Sequence, residues 1–218
     1  NGIDVWALTK DFELIEQLPS TSELAFGLMC SLFRHIPAGF EDVKRGNWNY
    51  EPFVGKQIKD SSIGIIGFGR LGKIMKNYCD AFGMRVYIYD PFEGYTDLDR
   101  LLERSDAISL HVHVTSETRD MVNPEFLAKM KKGSYLINTS RGELVDENAI
   151  IDSLETGNMA GYATDVIRDE FNLSGRSTLV EFAKRSNKVL ITPHVGGMTL
   201  EGQTKAYKWA IGKFKGIN

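Results

Sequence analysis

SSIGIIGFGRLGKIMKNYCDAFGMRVYIYDP, residues 61–91, holds an apolar run, a glycine-rich turn, a helical pattern and a second apolar run in unbroken succession. Ile63, Ile65 and Ile66 read as a buried strand that stops at Gly67-Phe68-Gly69-Arg70-Leu71-Gly72. Leu71, Ile74, Met75, Tyr78, Cys79 and Phe82 then recur at helical spacing, and 84–89 reads as a strand ending at Asp90. Each glycine has a physical task. Gly67 permits the tight turn, Gly69 lets backbone approach a pyrophosphate, and Gly72 lets helix and strand pack closely. The first-turn amides of that helix carry unpaired positive polarity and suit an anion. Asp90 stands 18 residues past Gly72, where a carboxylate accepts from both ribose hydroxyls and repels a 2′-phosphate. The unit therefore reads as a dinucleotide site that favours NAD over NADP.

Outward from that unit, strands and helices alternate. Helical patterns are expected at 97–103, 124–130, 147–156, 179–185 and 199–214. Strands are expected at 107–112, 135–138, 161–165 and 189–191. Such alternation predicts an α/β fold, a doubly wound parallel sheet of Rossmann type. Upstream, Ser20 and Glu23 form a capping box behind Pro19. The stripe Ala25, Leu28, Met29, Leu32, Phe33, Ile36 is wide enough for its own sheet alone or for a partner subunit as well. After Pro37 the sequence reads as a polar, aromatic connecting arm, and residues 1–8 alternate like a strand.

Composition sets bounds. The chain has 218 residues, 42% hydrophobic and 25% charged, with formal charge −3 and no long basic run, so nothing favours nucleic acid binding. Lys129, Lys131 and Lys132 read as a solvated helix end. Cys30 and Cys79, the two cysteines, read as small buried hydrophobes, consistent with a reducing, cytoplasmic setting. No stretch approaches the roughly 20 apolar residues that span a bilayer, and no signal peptide pattern is visible.

In an open parallel sheet, ligands bind beyond the carboxyl ends of the strands. The residues expected there are Gly67–Gly72, Asp90, His111–His113, 139–142, 165–170 and 193–197. Arg141 can hold a carboxylate bidentately. His194 carries an imidazole, the side chain suited to exchanging a proton with a hydroxyl. Glu170 beside it would orient the ring and stabilise its charge. Each has a plainer reading: Arg141 as a surface ion pair, His194 as a cap of the next helix, Glu170 as part of a solvated charged run. His111 and His113 share one face, but nothing supplies further metal ligands, so no metal is expected.

The chain resembles the D-isomer-specific 2-hydroxyacid dehydrogenases. The matching segments are IGIIGFGRLG (63–72), SLHV (109–112), LINTSRGELVDENAI (136–150), GYATDVIRDE (161–170) and ITPHVGG (191–197). The resemblance implies an oxidoreductase that transfers a hydride between NAD and a D-2-hydroxy acid or 2-keto acid. In it Arg141 binds substrate, His194 is the acid/base and Glu170 its acidic partner. For NAD it implies Gly67, Gly69, Gly72, Arg70 and Leu71 at the pyrophosphate and Asp90 at the ribose. Val112 and Thr118 match the nicotinamide-side loop, with Thr139, Ser140, Asp165 and Gly196 nearby. Asp165 is expected to contact the carboxamide. His113 and Phe171 stand where the family usually has proline. The resemblance also implies a homodimer built through the region of the 21–36 helix. The expected division is a lead-in (1–18), a linking helix and arm (19–60), a Rossmann core (61–197) and a closing helix (198–218). The resemblance leads one to expect that the separate substrate domain is largely missing and that the fragment alone is inactive. The alternative is an NAD(H)-responsive, non-catalytic scaffold.

Overall fold

The computed structural model describes residues 11–16, 18–170 and 177–216. The strand expected at 1–8, and Phe171, lie outside them. All five positions of β1 (Ser62–Ile66) are buried, as in a strand covered on both faces. Helix α4 (Arg70–Ala81) leads from it to β2 (Arg85–Tyr89), and α5 (Leu98–Arg104) to β3 (Ala107–Leu110). Then follow α6 (Pro124–Lys129), β4 (Ser134–Asn138), α7 (Glu147–Glu155), β5 (Met159–Thr164), α8 (Thr178–Arg185), β6 (Val189–Ile191) and α9 (Leu200–Lys215). The six strands form one sheet in the order β2-β1-β3-β4-β5-β6, and every pairing is parallel.

Two features of this sheet position the site. The chain leaves β1 in one direction for β2 and returns on its other side for β3, which places the topological switch between β1 and β3. The last residues of the strands also fall in one register row: Tyr89, Ile66, Leu110, Asn138, Thr164 and Ile191. Loops leaving six strands therefore emerge along a common rim.

Helices cover both faces. Met29 and Phe33 of α2 (Ser20–Phe33) and Met75 and Cys79 of α4 pack on Ile63, Ile65 and Ile137. On the other face α5 to α8 send Leu101, Phe126, Ile150, Leu154 and Phe182 onto Ile66, Ile108, Leu110 and Leu136. Burying such side chains contributes about 1.5–3 kcal/mol each, before the entropy of ordering them.

Several expectations change. The capping box is absent: Pro19 precedes the helix with no side-chain cap, and Ser20 Oγ lies 2.9 Å from Thr199 Oγ1 at the start of α9. The expected connecting arm begins with a helix, α3 (Ile36–Lys44), whose Pro37 sits in the first turn where its missing N–H costs nothing. Helix α1 (Phe12–Glu16) was also unforeseen. Thr199 caps α9, so His194 is not a helix cap. Cys79 is buried, and burial pushes its thiol up to about 12; Cys30 is only half-buried. No described helix is long and apolar enough to cross a membrane.

Lys131 does more than offset a helix dipole. Its ammonium lies 2.7 Å from Asp106 Oδ1, and that of Lys56 2.6 Å away. Asp106 Oδ2 accepts from the Ser62 amide at 2.8 Å and the Ser62 hydroxyl at 2.9 Å. Burial alone would raise this carboxyl. Lys131, Lys56 and Ser62 outweigh burial and hold it well below the usual carboxylate range. A depressed folded-state pKa contributes stability above the unfolded value of ~4, lost as pH falls through the folded value. Asp106→Asn should therefore lower the thermal midpoint at neutral pH, with the gap to the unsubstituted chain closing on acidification. A gap independent of pH would contradict this.

Candidate active site

The strand rim opens onto a cleft of about 440 Å³ lined by the glycine turn, the ends of β3, β4 and β5, and the loop after β6. The turn after β1 supplies Gly69, Arg70 and Leu71 to its wall. Gly67 has φ +92°, and a Cβ there would lie 2.4 Å from the His111 carbonyl oxygen across the switch point. A Cβ on Gly72 would lie 2.1 Å from the Gly67 carbonyl oxygen, so α4 can sit this close to β1 only with glycine. Gly69 differs: a Cβ there meets nothing within 4 Å. Its small size leaves room in the cleft and serves no internal packing. Gly69 is also the N-cap of α4 and offers no side-chain cap, so the helix presents bare first-turn amides.

Asp90 does not line the cleft. Its Oδ2 accepts from the Phe68 amide at 2.7 Å and its Oδ1 from the Phe92 amide at 3.0 Å. It fastens the glycine turn while keeping lone pairs for further donors. The Arg70 guanidinium donates to the Leu18 carbonyl at 2.6 Å, and burial lowers its pKa against the opposing pull of Glu16.

At the middle of the rim, Val112, Thr139, Ser140 and Arg141 line the cleft. Arg141 is exposed and spends one of its five N–H donors on the Ser140 carbonyl at 2.6 Å. Thr118 is off the wall: its hydroxyl donates to the His113 carbonyl at 2.6 Å and accepts from the Thr115 amide at 2.8 Å, shaping the loop from within. The sequence placed His111, His113 and Gly197 on the rim without a role and gave Thr21, Glu16 and Ile15 no place there, yet all six line the cleft. The two histidines were visible as the residues just past β3, and Gly197 within the 191–197 motif. Nothing local marked the others. Burial pushes the His111 imidazole down to about 4, so it is neutral at pH 7. No group of three or more potential metal ligands occurs among the described residues.

Asp165, 2% exposed, organises the loop that carries His194. Its Oδ1 accepts from Thr192 Oγ1 at 2.5 Å and the Val195 amide at 2.9 Å, and its Oδ2 from the Gly196 amide at 2.7 Å. Its carbonyl accepts from the His194 amide at 2.9 Å. His194 itself adopts a left-handed backbone, φ 54°, a conformation rare for a residue with a Cβ. Its Nδ1 lies 2.7 Å from Glu170 Oε1, and the Glu170 side chain is largely buried. A carboxylate at Nδ1 accepts that ring proton and directs proton exchange to Nε2. Arg141 and His194 thus face one cleft, with Glu170 on the imidazole.

A model of the D-isomer specific 2-hydroxyacid dehydrogenase NAD binding domain matches residues 26–196. The chain belongs to this family. A D-3-phosphoglycerate dehydrogenase from Synechocystis sp. is 35% identical over 218 residues, covering 93% of this chain and 38% of its own length. A hydroxypyruvate reductase from Thermotoga maritima is 37% identical over 195 residues, covering 86% of this chain and 62% of its own. The crystal structure of D-lactate dehydrogenase from Aquifex aeolicus, complexed with NAD and lactic acid, superposes with a TM-score of 0.81. It is 32% identical and covers 91% of this chain and 67% of that one. The chain spans about two-fifths of the length of the phosphoglycerate dehydrogenases it matches.

As the NAD-binding domain of this dehydrogenase family, the chain presents residues that suit the cofactor. The uncapped α4 amides beside Gly69 suit a pyrophosphate. Of four buried side-chain polar atoms that lack hydrogen-bond partners among the described residues, two are His111 Nδ1 and Thr139 Oγ1. They belong to cleft-lining residues that follow the paired Leu110 and Asn138 at the tips of adjacent strands. Polar groups so placed suit a ligand rich in donors and acceptors.

Proposed function

We propose that this chain is the cofactor domain of an NAD-dependent D-2-hydroxyacid dehydrogenase. One observation carries the reading: the His194–Glu170 pair and Arg141 sit on the same cleft as the glycine turn. Bound NAD supplies the hydride acceptor in one direction and the donor in the other. Arg141 anchors the substrate carboxylate with the donors not spent on Ser140. His194 takes the hydroxyl proton at Nε2, and Glu170 stabilises the imidazolium that results. Thr139, Ser140, Val112 and Gly196 frame the nicotinamide end, Asp165 offers the carboxamide what remains of its acceptor capacity, and Thr118 supports the loop from behind. Asp90 receives the adenosine ribose.

We further propose a cytoplasmic homodimer. The dimer is supported by the exposure of Ile36, Phe40, Val43, Trp48, Tyr50 and Val54 along 36–54, and the two free cysteines suit a reducing compartment. The apolar stripe of α2 is consumed by its own sheet, with Ala25, Met29 and Phe33 fully buried, so the outward surface lies on α3 and the segment after it.

Calorimetric titration with NAD and NADP, beside a screen of D-2-hydroxy acids with the complete gene product, tests the reading. NAD should bind more tightly by roughly tenfold or more, ~1.4 kcal/mol, and Asp90→Ala should narrow the gap. Equal or tighter NADP binding would overturn the role of Asp90. Tight NAD binding with no oxidation of any acid would favour the scaffold alternative.

A further inference from the structure

We propose that Arg168 is a positioning residue: it fixes the turn that presents Glu170 to His194. The proposal rests on the reading of those two side chains as the acid–base pair. Arg168 lies two residues before Glu170 and is held at both its ends. Its backbone N–H donates to Glu147 Oε1 at 2.9 Å, in the first turn of α7. Its guanidinium is ion-paired with Asp120 and donates to the Val145 carbonyl at 2.8 Å. Glu147 is itself half-buried, and burial raises its carboxyl against the opposing pull of Arg168. One residue therefore joins the loop after β3, the approach to α7 and the turn after β5.

The turn that carries Arg141 leans on the same support. A Cβ on Gly142 would lie 2.2 Å from the Ile167 carbonyl carbon and 2.5 Å from the Arg168 nitrogen. Arg141 and Glu170 are thus referenced to one peptide, 167–168. A shift of that peptide would move both groups against the cleft.

Asp120 supplies the independent observation. It has φ 53°, a left-handed backbone in which glycine is relaxed and a residue with a Cβ is not. The strained residue carries the carboxylate that grips Arg168. Backbone conformation alone would favour glycine at that position. Holding Arg168 requires the carboxylate that glycine lacks.

That opposition supplies the test. Asp120→Gly relieves the backbone and cuts the clamp, and Arg168→Met removes the guanidinium while leaving the backbone bond to Glu147. In the ¹⁵N-histidine-labelled chain, the Nδ1–H proton of His194 bonded to Glu170 gives a downfield resonance at neutral pH. In Asp120→Gly the thermal midpoint should hold or rise while this resonance is lost to exchange broadening. Arg168→Met should lose the resonance too. A resonance that persists unchanged in both variants overturns the positioning role, as does one lost in Asp120→Gly only alongside a lowered midpoint. Its absence from the unsubstituted chain would sink the acid–base pair, and this proposal with it.

Discussion

Replacing His194 by alanine in the complete gene product should cut turnover by about 100- to 10,000-fold, the range that a positioned general acid/base supplies. NAD affinity should barely change, because in the proposed function the imidazole serves the reacting end and the glycine turn with the α4 amides holds the pyrophosphate. The substitution also strips Glu170 of its bond at 2.7 Å inside a largely buried environment, so some stability is lost. Stopped-flow turnover and equilibrium NAD binding on the same preparation separate the two effects. Turnover at the rate of the unsubstituted enzyme would remove His194 from the chemistry.

Asp165→Ala should have the largest effect on the fold, about 3 kcal/mol or more, or about 10 °C in melting temperature for a domain of this size. It leaves the Thr192 hydroxyl and the Val195 and Gly196 amides without their acceptor around a site only 2% exposed. Asparagine should not rescue it. Whichever way the amide is turned, its NH₂ faces a backbone N–H, that of Val195 on one side or Gly196 on the other. Thermal denaturation followed by circular dichroism checks both variants. A midpoint for Asp165→Asn equal to that of the unsubstituted chain would show that the carboxylate is not what holds the loop.

Asp165 shows where reading the sequence succeeds and where it stops. Its place after a strand put it at the rim, because strand ends follow from apolar runs and the rim follows from parallel pairing. That its carboxylate is largely committed to the 192–196 loop depends on contacts about 30 residues away, which no local pattern encodes. Asp90 and Gly72 were legible because a single β-α-β unit fixes their separation. The bonds from Phe68 and Phe92 to Asp90 were not, since they arise from how the turn closes. Ser20 and Glu23 had capping-box spacing, but the helix takes Ser20 as its first residue and turns its hydroxyl to Thr199. Pro37 was read as a break, whereas it sits in the first turn of α3. Thr118 showed its position in the loop after β3 and hid its direction. The Asp120–Arg168 pair spans 48 residues and belongs to the same invisible class.

In the proposed function the strand rim builds one cleft that holds NAD beside Arg141 and His194. Titrating the ¹⁵N-labelled chain with NAD and following every backbone amide tests it most directly. Shifts should concentrate at 69–72, 111–113, 139–141 and 194–197. Shifts confined to the opposite end of the sheet, around Arg34 and 50–59, with those four segments unmoved, would contradict it.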